Sequence, residues 1–139
     1  DGAGVVYVLA DRSLRGAKPP QWAKAAVALY DRLGADRIVA EVNQGGDMVE
    51  AVLRTVRGDI PVESVRASRG KWVRAEPVAA LYEQGKVRHV GLFRELEDEM
   101  ADFGPDGLSG GRSPDRLDAL VWAVTALSGF EPVPRIRAF

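Results

Sequence analysis

Arg37-Ile38-Val39-Ala40-Glu41-Val42 is a nearly unbroken apolar run, and Asn43-Gln44-Gly45-Gly46-Asp47 breaks it at once. The run has the character of a strand buried on both faces, as in a sheet covered by helices. Glu41 is the anomaly, a charge inside the run and next to its C-terminal end. A lone buried carboxylate is costly, so Glu41 needs a cationic partner, a metal, or exposure at the end of the sheet. In open α/β sheets, ligands bind beyond the C-terminal ends of strands. From position alone, a solvent-accessible strand end or a structural ion pair is the simpler account of the residue. The glycines that follow permit a sharp turn or a close backbone approach. Backbone N–H groups at the start of a helix there can meet a phosphate, although many strand-to-helix turns carry glycine for geometry alone.

Outward from this run, strand and helix patterns alternate. On the N-terminal side, Trp22, Ala25, Ala26, Leu29, Tyr30 and Leu33 make one face of a helix that Gly34 stops. Before that, Val5-Val6-Tyr7-Val8-Leu9 reads as a strand entered from a glycine-rich turn. On the C-terminal side, Met48, Val49, Val52, Leu53 and Val56 predict a helix, and Pro61 to Val65 a third strand. A helix follows from about Lys71 to Glu83, with Pro77 starting or bending it. Val87 to Val90 is a brief strand. Phe93, Leu96, Met100 and Phe103 space a helix whose acids, Glu95, Glu97, Asp98, Glu99 and Asp102, read as its wet face. After a glycine-rich loop, Ser113-Pro114 predicts an N-cap and a first-turn proline. Leu117, Leu120, Val121, Val124 and Leu127 form the stripe of a last helix, and residues 130–139 read as a tail. Alternating strands and helices imply an α/β sheet covered by helices, with residues 1–129 as one domain.

Composition narrows the chemistry. The 139 residues are enough for one domain with a real core. Lys and Arg number 19 and Asp and Glu 20, which excludes a generally basic nucleic-acid coat but not a local basic strip. There is no cysteine, and His89 is the one histidine, so any metal chemistry must rest on carboxylates, which suits magnesium or manganese. There is no nucleophile elbow, P-loop or dinucleotide fingerprint. No run approaches a membrane span. The chain opens Asp1-Gly2-Ala3-Gly4 without a methionine, and the expectation is a fragment or a processed product.

Two further clusters carry chemical potential. Asp115 and Asp118 lie one helical turn apart and point to one side. Asp118 borders the apolar stripe, and Asp115 lies further out. An acid in the first turn also favours the helix dipole, which accounts for Asp115 without any function. Arg66, Arg69, Lys71 and Arg74 fall within nine positions together with Trp72. Such a strip can contact a phosphodiester backbone, or it can be a solvated loop and helix face. His89 reads as a strand or surface histidine.

Glu41-Val-Asn43-Gln-Gly45-Gly46, Arg69-Gly-Lys71-Trp-Val-Arg74-Ala-Glu-Pro77 and Ser113-Pro114-Asp115-Arg116-Leu-Asp118-Ala119-Leu120 together resemble a known family. It is the C-terminal nuclease domain of phage-type terminase large subunits, particularly those of prophages and gene transfer agents. The resemblance runs from about Val5 to Leu127. It implies an α/β, RNase H-like (RuvC-like) mixed sheet flanked by helices. It also implies a metal-dependent endonuclease that cuts concatemeric double-stranded DNA during packaging, in the cytoplasm of a bacterial host. In that family three acidic positions hold two divalent metals, magnesium or manganese. Glu41 matches the second and Asp118 the third, with Asp115 as an auxiliary ligand or neighbour. Lys71 and Arg74 match a basic motif that faces substrate or supports the site. Arg69, Asn43, Gly45 and Gly46 join them as expected DNA contacts. The implied partners are the terminase ATPase domain in cis, the small terminase subunit and the portal, with no membrane. The family's first acid sits on a strand that is expected upstream of Asp1, because Val5 to Leu9 matches a later strand. A Holliday-junction resolvase of the same broad fold and a non-catalytic DNA- or partner-binding module are the competing readings.

Overall fold

The computed structural model describes residues 1–42 and 48–129. These fall into two compact units, one within residues 12–67 and one of residues 1–11 with 68–129. The single domain expected over 1–129 takes in both.

The unit of residues 12–67 holds α1 (Pro19–Leu33), β2 (Ile38–Glu41), α2 (Met48–Val56) and β3 (Val62–Val65). Pro19 and Pro20 open α1, where their missing N–H groups cost nothing. The Gln21 side chain accepts the Lys18 N–H at 2.8 Å and satisfies one donor at that end. Gly34, at φ 59°, takes the left-handed turn that ends the helix. β2 and β3 pair in parallel with Glu41 opposite Val65, the arrangement a helical crossover requires. Ala23, Val27, Leu53 and Ile60 form the buried core of this unit. The expectation of a strand buried on both faces holds only for Ala40 within β2; Ile38, Val39 and Glu41 are half-buried.

The other unit holds β1 (Val6–Val8), α3 (Lys71–Glu83), β4 (Val87–His89), α4 (Arg94–Asp102) and α5 (Asp115–Ser128). β1 and β4 pair in parallel, Val6 with Val87 and Val8 with His89. Pro77 lies inside α3, which starts six residues earlier at Lys71. The core is built from Val78 and Leu81 of α3, Val87 of β4, Leu96 of α4, and Leu117, Leu120, Val121 and Val124 of α5. Thus α5 is the element around which this unit packs, through the stripe that its apolar spacing predicts.

The fold class is α/β, with five helices and two parallel two-stranded ladders among the described residues. No helix among the described residues is long and apolar enough to cross a membrane.

Candidate active site

The site is built on the start of α5. Pro114, rather than Ser113, is the N-cap residue, so the helix begins at Asp115, one position later than a Ser113 cap implies. Ser113 serves differently: its hydroxyl donates to Asp115 Oδ1 at 2.6 Å. The backbone N–H of Leu117, one of the first-turn donors that no helical carbonyl can reach, is taken by Glu99 Oε2 of α4 at 3.0 Å. Glu99 is only 8% exposed. A buried carboxylate at a helix N-terminus is favoured by both the hydrogen bond and the dipole. This corrects the reading of Glu99 as part of a wet face. Two neighbours are also engaged. Glu97 Oε2 accepts the Phe93 N–H at 2.8 Å, and Asp102 Oδ2 accepts the N–H and hydroxyl of Ser109 at 2.9 Å. Arg116 pairs with Asp11 at 3.0 Å and ties α5 to the segment after β1.

Asp118 is buried while Asp115 stands out in solvent, with side chains 9% and 81% exposed. Asp118 meets two cations from the first turn of α3. Arg74 Nη1 lies 2.8 Å from Oδ1, and Lys71 Nζ lies 3.2 Å from Oδ2. Lys71 Nζ also donates to Ser113 Oγ at 3.0 Å and stands 3.7 Å from Asp115 Oδ1. The Arg74 guanidinium lies over the Trp122 ring, 4.7 Å from its centre, and donates through Nε to the Arg69 carbonyl at 3.1 Å. Two of the basic residues expected to face DNA are therefore turned onto the α5 acids. Arg74 is closed off, whereas Lys71 keeps a third of its side chain in water. Arg66 and Arg69 are exposed. Trp72 is partly exposed and packs on Phe103 with ring centres 5.5 Å apart.

Glu41 lies in the other unit, half-buried at the C-terminal end of β2. Asn43, Gly45 and Gly46 lie outside the described residues. Asp1, which precedes the glycine-rich turn, caps that turn: its Oδ1 accepts the N–H groups of Ala3 and Val5.

A family model for the terminase RNaseH-like domain matches residues 2–127. The chain belongs to this family. Its match spans both units and includes Glu41, the α3 basic motif and the α5 acids. No curated protein and no solved structure matches the chain. As a terminase RNaseH-like domain it has a nuclease lineage tied to DNA packaging.

The oxygens around α5 can be compared with what a hard divalent cation requires. Among the described residues, no three metal-ligating side chains cluster around one point. Asp115 and Asp118 do present hard oxygen donors on one helix face, and the oxygen of Ser113 lies beside them. A positive charge, the Lys71 ammonium, already sits among these three oxygens. Two carboxylates and one hydroxyl are thus the hard oxygen donors that α5 and the residue before it offer, which match a hard cation in donor type.

One other polar group stands apart from the acids. Tyr82 Oη and His89 Nε2 lie 2.6 Å apart, and His89 Nδ1 is 3.4 Å from Glu97. Burial, with the Glu97 charge adding to it, pushes the Tyr82 hydroxyl up to about 12. His89 is thus an interior link between α3, β4 and α4. Sequence spacing held no signal for this contact, because its three members come from different elements.

Proposed function

We propose that this chain is the metal-dependent endonuclease domain that cuts concatemeric double-stranded DNA during genome packaging. The observation that carries the reading is the paired carboxylates of α5, Asp118 buried and Asp115 exposed, in a chain matched over residues 2–127 by the terminase RNaseH-like family. Asp118 and Glu41 are the proposed metal-ligating acids, with Asp115 auxiliary. Divalent cations, magnesium or manganese, supply water activation and stabilisation of charge on the scissile phosphate when bound.

The chain's own groups do the rest. Arg74 holds Asp118 in one rotamer through an ion pair and stacking on Trp122, and is a positioning residue. Glu99 fixes the first turn of α5 and with it the direction of both aspartates. Arg69 and Lys71 supply positive charge to a phosphodiester backbone, with Asn43, Gly45 and Gly46 as further proposed contacts. Phosphate contacts position DNA without reading bases, so little sequence preference is expected. The ATPase domain in cis, the small terminase subunit and the portal are the proposed partners.

The test is cleavage of linear duplex by the product of the full reading frame, with manganese or magnesium, against the Glu41→Ala and Asp118→Asn variants. Metal-dependent nicking lost in both variants supports the reading. Preference for four-way junctions over linear duplex would instead favour a resolvase. The neutralisation of Asp118 by two cations favours one further reading, a non-catalytic module with structural acids. Absence of metal-dependent nicking, with Glu41→Ala changing nothing, would establish it.

A further inference from the structure

The two cations on Asp118 are not equivalent. Arg74 is locked: its side chain is 5% exposed, stacked on Trp122 and bonded to the Arg69 carbonyl. Lys71 is held only at its tip, by Asp118, Asp115 and Ser113, and its side chain is 36% exposed. An ammonium on a flexible four-carbon stem can withdraw into water, whereas a stacked guanidinium cannot without disrupting its packing. The position of Lys71 is also unfavourable for helix stability. It is the first residue of α3, where the dipole disfavours a positive charge. The local helix therefore gains nothing from a lysine there, and the oxygens of α5 gain a counter-charge.

We infer that Lys71 is an internal counter-ion of the α5 carboxylates, displaced by a divalent cation when one binds. This rests on the metal-site reading above. Without a divalent ion, the ammonium screens Asp115 from Asp118 and keeps the acids converged. Asp118 and Asp115 would hold the divalent cation, while Arg74 keeps its ion pair with Asp118. The displaced ammonium is then at the rim of the site, free to meet a phosphate. Lys71 thus sets the divalent concentration at which the site loads.

The experiment measures manganese affinity, by titration followed by electron paramagnetic resonance, for the unaltered protein, Lys71→Met and Arg69→Met. The inference expects Lys71→Met to bind manganese about tenfold tighter, because a competing charge is gone. Arg69→Met removes the same charge nearby and is expected to change affinity by less than about threefold. Equal or weaker binding by Lys71→Met, or equal tightening by Arg69→Met, overturns it while leaving the metal site standing. Failure of all three proteins to bind manganese overturns both readings together. A second readout needs no variant to fold. The Lys71 ammonium resonance is expected to be protected from exchange in metal-free protein and to lose that protection on magnesium addition. An unchanged resonance at saturating magnesium overturns the inference.

Discussion

The Arg74 guanidinium and the Asp118 carboxylate meet at 2.8 Å with both side chains less than a tenth exposed. Arg74 Nη1 is held there by charge and by stacking on Trp122, without a hydrogen bond of regular geometry. Removing Asp118 would strand the buried Arg74, whereas removing Arg74 leaves Asp118 to Lys71 alone. Arg74→Met is therefore expected to cost about 2–3 kcal/mol in urea unfolding, less than the loss of a buried charge's only partner. The double variant Arg74→Met with Asp118→Asn should recover much of that loss. A double variant no more stable than Arg74→Met would show that the pair is not coupled.

Glu99 and Leu117 give a second expectation. The buried Glu99 carboxylate is the acceptor for the first turn of α5. Glu99→Ala leaves that N–H unsatisfied and should cost about 1.5–3 kcal/mol. Glu99→Gln keeps an acceptor and should cost less. Equal losses in thermal unfolding would assign the effect to packing instead.

Tyr82 predicts an alkaline transition. Its folded pKa is raised to about 12 from 10.0. The folded state holds this proton more tightly than the unfolded state. Its stabilising effect is complete below pH 10 and is lost as pH rises from 10 towards 12. Two units correspond to about 2.7 kcal/mol at most, and solvent screening of a half-buried group leaves about 1–2 kcal/mol. Tyr82→Phe should flatten this part of the stability curve. Ultraviolet titration of tyrosinate should show one late-ionising tyrosine, absent in the variant.

Cleavage should divide the two α5 acids. Asp118→Asn is expected to lower metal-dependent cleavage by about 10²-fold or more, the scale seen when one preorganised electrostatic group is removed from a site. Asp115, far more exposed, should show a smaller loss of about tenfold in Asp115→Asn, since an auxiliary ligand in water is replaced more readily. Equal losses in nicking rate would give both acids the same role.

DNA affinity should divide the basic strip. Arg69→Ala should lower the slope of log affinity against log salt by up to about 0.9, because one phosphate fewer is neutralised on binding, and Lys71→Ala should do so only with a divalent cation present, when the ammonium has left the α5 acids. Arg74, buried on Asp118, should alter stability and leave that slope nearly unchanged. A flattened slope in Arg74→Ala at full folding would place Arg74 on the DNA path.

The sequence by itself determined the elements. Val6 to Val8, Ile38 to Glu41 and Val62 to Val65 are strands, and the apolar spacing of Leu117, Leu120, Val121 and Val124 became the spine of α5. These are local properties, because side-chain period and glycine or proline breaks act over a few residues. The three motifs also pointed to the terminase RNaseH-like family. Only the tertiary structure decided how the charges are used. Lys71 and Arg74 read as residues that face substrate or support the site, and only the packing of α3 on α5 turns them onto Asp118. Glu99 read as a surface acid, yet it lies buried against the Leu117 N–H, eighteen residues away. A residue's charge is written in the chain, but its partner depends on which helices pack together. That packing is set by many apolar side chains meeting at once rather than by any local spacing.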